Sequence, residues 1–224
     1  DIKGGNILLH SPLGSGRVIL KLADFSEVKF LKQSLHQTFM TQRGTQAFMA
    51  PELLIGSQIG DSKVDMWSAG ILLNLIVTHA YPFDPSNEVD IKNFLRNKTF
   101  ARPSSITDNN LWDLLRKMLS FEPINRISSA KALNHPFFTS SQALREITLE
   151  QINIAQSAQI SKSNGDLSIT QFDIDPSFIF PITMILNNNN SYQTGREEFL
   201  RQKEVQLKLK EEQLINKEEE FQMK

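Results

Sequence analysis

The chain opens on Asp1-Ile2-Lys3-Gly4-Gly5-Asn6, and this polar hexapeptide runs straight into an apolar segment. The two apolar runs Asn6-Ile7-Leu8-Leu9 and Val18-Ile19-Leu20-Lys21-Leu22 flank the stretch Ser11-Pro12-Leu13-Gly14-Ser15-Gly16. Short apolar runs on either side of a Pro/Gly turn predict a small β-hairpin. Asp24-Phe25-Ser26 follows the second run, so a strand end presents Asp24. The Gly14-Ser15-Gly16 segment reads as the hairpin turn and not as a phosphate loop, because no helix follows to present amides to a phosphate.

Beyond the hairpin the apolar spacing is helical. Trp67, Ile71, Leu75 and Thr78 recur along residues 64–78, with Leu72 and Ile76 widening the stripe. That helix is apolar nearly all round, which predicts burial. Leu111, Leu114, Leu115, Met118 and Leu119 form a second, amphipathic stripe, with Thr107 or Asp108 placed to cap its start. Ser128 or Ser129 is placed to cap a short third helix that stops before Pro136. The fold class is mainly α, and the only clear strand pair is the opening hairpin.

Composition narrows the functional classes. Hydrophobic residues make up 40% of the 224, enough for one packed domain and a tail. A net charge of -1 suggests no nucleic-acid partner. The absence of cysteine excludes disulfides and Cys-based zinc sites and fits a reducing, cytoplasmic location. No signal peptide opens the chain. The longest apolar run, Phe178 to Leu186, is broken by Pro181 and falls well short of the roughly 20 residues of a membrane span, so no membrane partner is expected.

Four polar residues near the hairpin carry chemical options. Asp1 can accept a hydrogen bond from a hydroxyl and orient it, and Lys3 can set a positive charge against a phosphate. Asn6 offers a neutral oxygen and Asp24 a charged one, and both suit Mg2+, a hard cation that prefers oxygen. Phosphoryl transfer asks for such a set: an aligned hydroxyl, bound metal and charge around the moving group. The four His residues form no Ser/His/Asp arrangement, and His135 reads as packing before Pro136.

In order and interval these segments resemble the eukaryotic protein kinase family, in its Ser/Thr-specific branch. Asp1-Ile2-Lys3-Gly4-Gly5-Asn6-Ile7-Leu8-Leu9 is similar to the catalytic loop, and Lys at its third position is typical of that branch. Asp24-Phe25-Ser26 resembles the magnesium-binding motif, and Gly44-Thr45-Gln46-Ala47-Phe48-Met49-Ala50-Pro51-Glu52 the end of the activation loop. Asp65-Met66-Trp67-Ser68-Ala69-Gly70 resembles the start of the central helix. Leu115 to Arg126, with His135-Pro136-Phe137-Phe138, resembles the closing helices. The resemblance covers residues 1–138 and implies the large, C-terminal lobe of a kinase.

It also implies roles. The activity would be transfer of the ATP γ-phosphate to Ser/Thr hydroxyls of a protein substrate. Asp1 would be the base, Lys3 the γ-phosphate contact, and Asn6 and Asp24 the Mg2+ ligands. Thr45 would hydrogen-bond toward Asp1 and Lys3, Glu52 would pair with Arg126 in a buried ion pair, and Asp65 would brace the catalytic-loop backbone. The activation segment, Asp24 to Glu52, holds Ser34, Thr38 and Thr41. Thr41, four residues before Thr45, is the candidate phosphorylation site.

Departures from the pattern have physical consequences. Ser26 stands where the family has Gly, which reaches φ > 0 more easily. Gly4-Gly5 replaces a Pro-containing pair, and Phe48 a common Tyr. These 224 residues hold no counterpart of the Gly-rich loop, of the Lys and Glu that pair over ATP, or of the His-Arg before the catalytic Asp. Residue 1 is not Met and falls inside a motif, so the N-terminus reads as a truncation. The expectation is a chain inactive without its small lobe, from an active parent that retains Asp1, Lys3, Asn6 and Asp24. Its uncovered apolar surface is expected to promote association.

Residues 139–193 are rich in Ser, Gln, Asn and Ile without a steady period, and read as a linker, partly disordered. Residues 194–224 hold 15 charged residues among 31, a helical signature that also leaves little apolar surface. Leu200, Leu207, Leu214 and Phe221 recur every seventh residue, but the second apolar position of a heptad is charged. The tail is therefore either a weak coiled coil that self-associates or binds a partner, or a solvated charged helix. A kinase-like scaffold acting through that helix is the alternative function.

Overall fold

The computed structural model describes residues 1–29, 38–39, 45–57 and 59–186, with backbone alone at 38, 39 and 59. The expectations at Ser34, Thr41 and Gly44, and those for 187–193 and the charged segment 194–224, lie outside the described residues.

Strands β1 (Ile7–His10) and β2 (Arg17–Leu22) form the predicted hairpin, antiparallel, with Ile7 opposite Leu22 and His10 opposite Ile19. A second, two-stranded sheet joins β3 (Thr38–Phe39) to β4 (Ile59–Gly60). Between these strands lie a 3-10 turn over Gln46–Phe48 and the short helix α1 (Pro51–Leu54). Pro51 sits in the first turn of α1, where its missing N–H costs nothing.

Helix α2 (Lys63–Thr78) is the central element. Trp67 and Ile71 are buried in a cluster with Ala47, Phe48, Ala50, Phe83, Ile91 and Leu119. Burial extends nearly all round the helix, as expected: Leu72 and Leu75 pack toward this cluster, Met66, Ala69 and Leu73 toward Leu114, Met118 and Ala132, and only Asp65 and Ile76 are exposed.

Helix α3 (Glu88–Asn97) follows, its start capped by the Asn87 side chain, which accepts from the Val89 and Asp90 amides. Helix α4 (Asn109–Met118) is capped by Asp108, which accepts from the Leu111 amide. It packs Leu114 and Met118 against Ala132. Helix α5 (Ser129–Leu133) is capped by Ser128, and Pro136 opens α6 (Pro136–Thr139) rather than merely ending α5.

The linker expected over 139–193 is corrected for its described part. It holds α7 (Ser141–Arg145), α8 (Leu149–Ser163), a 3-10 turn at Pro176–Phe178 and strand β5 (Phe180–Pro181). Thr148 and Gln151 form a reciprocal capping box at the start of α8. The buried residues of α8 are Ala155 and Ala158, so its inward stripe is small and its periodicity faint. Strand β5 joins the hairpin, making a three-stranded sheet in the order β1-β2-β5. Pro181 is tolerated because β5 lies at an edge. Among the described residues no helix is long and apolar enough to cross a membrane.

Candidate active site

The hairpin register builds the site. Residues 4–6 form a single 3-10 turn that leads into β1, and the Ala23 amide donates to the Asn6 carbonyl at 2.8 Å. Asn6, just before β1, and Asp24, just after β2, are therefore neighbours at the open end of one ladder.

Around this end four side chains interlock. Lys3 Nζ lies 2.6 Å from Asp1 Oδ2 and donates to Thr45 Oγ1 at 3.1 Å. The Thr45 amide donates to Asp1 Oδ1 at 3.2 Å. Asn6 is buried, and its Nδ2 donates to the Asp1 carbonyl at 2.9 Å and faces Asp1 Oδ2 at 3.4 Å. Both Asp1 atoms are acceptors, so the amide orientation is forced and Asn6 Oδ1 is turned away from them. Residues 45 and 1–6, far apart in sequence, thus meet through hydrogen bonds, with the Asp1 carboxylate already oriented on both oxygens.

Asp24 sits at a φ of 61°, in the left-handed region that Asp tolerates better than most residues. Ser26 is not among the residues at positive φ. The concern that Ser at this place lacks the freedom of Gly is thereby met: the unusual backbone angle falls on Asp24. Ser26 instead donates its hydroxyl to Asp24 Oδ1 at 2.6 Å and its amide to the same oxygen at 3.3 Å. These bonds hold the Asp24 carboxyl below its usual range. The carboxylate is exposed and ionised, and Ser26 uses only one of its oxygens. Asn6 and Asp24 together offer two hard oxygens at one strand end, a donor set that fits Mg2+ bound with the help of phosphates.

Glu52 and Arg126 lie apart from this cluster, as a bidentate pair at 2.8 and 2.9 Å. Arg126 is fully buried, and its remaining N–H groups reach the carbonyls of Ser120, Lys63 and Phe121. Its guanidinium also lies 5.3 Å from the Trp67 ring centre. The pair ties α1, and with it the turn that follows Thr45, to the segment after α4.

Asp65, in the first turn of α2, makes no hydrogen bond to residues 1–6 among the described residues. It is exposed on its outer side, yet partial dehydration raises its carboxyl. His135 is buried. Its Nδ1 accepts from the Phe137 amide, and Nε2 lies 3.0 Å from Asp113 Oδ2, so it packs as the sequence suggested and also caps α6.

Sequence reasoning missed the pairing of Ser26 with Asp24, although the signal was present. Asp-x-Ser recurs at 84/86, 166/168 and 175/177. In each case the Ser amide and hydroxyl both donate to the same Asp oxygen. The motif is a local turn, and at 24/26 it happens to fall on a candidate metal ligand.

A family description, protein kinase domain, matches residues 1–138, and the chain belongs to the protein kinase family. It is 31% identical over 169 residues to a probable serine/threonine-protein kinase of Dictyostelium discoideum, covering 75% of this chain and 19% of that protein. It is 34% identical over 148 residues to the serine/threonine-protein kinase STK11 of Rattus norvegicus, covering 65% and 33%. With the serine/threonine-protein kinase dkf-1 of Caenorhabditis briggsae the figures are 29% over 170 residues, 75% and 22%. The chain spans a third or less of the length of these relatives.

Proposed function

We infer that the protein is the catalytic lobe of a serine/threonine protein kinase that uses ATP and Mg2+. The observation that supports this most is the oriented Asp1 carboxylate, fixed by Lys3 and the Thr45 amide beside the Asn6–Asp24 strand end.

In this reading Asp1 receives the acceptor hydroxyl and takes its proton as the new O–P bond forms and the bridging P–O bond to ADP breaks. Lys3 sets its charge against the γ-phosphate, and the hydroxyl of Thr45 holds Lys3 in place. Asn6 and Asp24 would hold Mg2+ through oxygen, and the ion would supply positive charge beside the transferring phosphate. Glu52 and Arg126 fix the substrate-side segment that carries Thr45.

No Gly-rich loop or phosphate-binding Lys of the small lobe occurs within these 224 residues. Phosphoryl transfer is therefore assigned to a polypeptide in which such a lobe covers the nucleotide. The test is transfer of labelled γ-phosphate from ATP to a Ser/Thr peptide library, with this chain joined to a kinase small lobe. The expected outcome is transfer that falls by about 100- to 10,000-fold in Asp1→Asn, and none from the 224-residue chain alone. Transfer that survives Asp1→Asn would remove Asp1 as the base.

A further inference from the structure

The hairpin that carries Asn6 and Asp24 at its open end is gripped at the other end by the C-terminal segment. Strand β5 pairs with β2, placing Pro181 opposite Arg17 and Phe180 opposite Val18, and the Ile182 amide donates to the Gly16 carbonyl at 2.9 Å. Gly16, at a φ of 68°, lies close under Ile154 of α8. Beneath this contact Ala155, Ala158, Ile169 and Ile179 are buried.

An ion pair sits at the centre of the grip. Arg17 Nε lies 2.9 Å from Asp173 Oδ1, and the two side chains are only 9% and 12% exposed. The N–H points too far off line to count as a hydrogen bond, so the contact is mainly between charges. Asp173 is itself oriented by Thr170, whose amide and hydroxyl both donate to Oδ2 at 2.7 Å.

A two-stranded hairpin is marginally stable alone, and a third strand makes the difference. The outward face of this hairpin has little support of its own, since Leu9, Leu20 and Leu22 are exposed. Strand β2 connects the two ends directly: Arg17 opens it, and Leu22 closes it two residues before Asp24.

The geometry points to Asp173 as a positioning residue that, through Arg17 and β2, keeps Asn6 and Asp24 in register. The consequence for metal rests on the proposed kinase reading; the consequence for the hairpin does not.

The experiment uses the full 224-residue chain with Mn2+ as the probe. Two quantities are followed: hydrogen exchange of the Ala23 amide, which bonds to Asn6, and Mn2+ affinity. Asp173→Asn is expected to accelerate Ala23 exchange and to weaken Mn2+ binding by about tenfold, the scale of lost support behind a metal ligand. Exchange in α2 and Trp67 emission stay at native values.

Native Ala23 exchange in Asp173→Asn overturns the inference. Exchange that rises equally in α2 also overturns it, because Asp173 is then a general stabiliser. If Asp173→Asn fails to fold, Thr170→Val, which removes one orienting donor, decides the matter by the same readouts. Asp24→Asn serves as the control for the kinase reading. Should Asp24→Asn leave Mn2+ affinity unchanged, the metal assignment falls, and Ala23 exchange alone supports or overturns the positioning role.

Discussion

Single residues show how local chemistry sets the site. Ser26 donates twice to Asp24, and that lowers the Asp24 carboxyl below its ordinary value of 3.8. Replacing Ser26 with Ala removes the shorter bond, so the carboxyl returns upward and the ionised form is lost at a higher pH. The acid limb of Mn2+ binding in the 224-residue chain is therefore expected to move upward in Ser26→Ala, as read by titration. A limb that stays in place would detach Ser26 from Asp24. Arg126 makes the opposite kind of prediction, one of stability. Its guanidinium is fully buried with Glu52 and three carbonyls, so Arg126→Met strands a nearly buried carboxylate. The expected cost is about 3–5 kcal/mol, read from urea unfolding. At this scale much was legible, because Asp1, Lys3, Asn6, Asp24, Glu52 and Arg126 stand in recognisable motifs. The state of Asp65 was not, since its half-dehydrated setting depends on neighbours that no motif encodes.

Elements show where periodicity succeeds and where it fails. Helices α2 and α4 were readable because large apolar side chains repeat, and α4 and α5 because an Asp or Ser caps the start. Helix α8 was not, because alanines fill its buried stripe and Ile160 faces solvent. The contact between α2 and α4 is tight at Gly70. A Cβ there would come within 2.9 Å of Leu119 and 3.0 Å of Met118. Gly70→Ala is expected to cost about 1–3 kcal/mol by overpacking, measured by thermal unfolding. The seam between α4 and α6 carries a pH prediction. Asp113 is held well below its ordinary 3.8, first by Lys117, then by Arg116 and His135. A depressed carboxyl contributes stability that is fully present above its unfolded value and lost as pH falls through the folded one. Unfolding temperature is thus expected to decline as pH drops below 3.8, with a shallower slope in Asp113→Asn.

The whole molecule exposes what its parts leave open. On one hairpin face Ile7 stands opposite Leu22 and Leu9 opposite Leu20, and Leu9, Leu20 and Leu22 are more than half exposed, with Phe25 beyond the strand end. Such a patch promotes association. The 224-residue chain is expected to sediment as concentration-dependent oligomers, and Leu9→Gln combined with Leu20→Thr to shift it toward monomer. Unchanged oligomers in that variant would move the interface elsewhere. The amino-acid sequence by itself determined the family, the hairpin, the main helices and the residues that gather at the candidate site. Those features rest on short intervals, where the spacing of side chains along a strand, helix or motif is written directly in the chain. Only the tertiary structure decided that residues 141–186 fold back onto the hairpin and that Arg17 is buried against Asp173. A two-residue strand has no period, a small-residue stripe has little hydrophobic contrast, and an ion pair leaves no mark on either partner's neighbours. These choices are made by which surfaces meet, and that is settled only when distant segments are packed together.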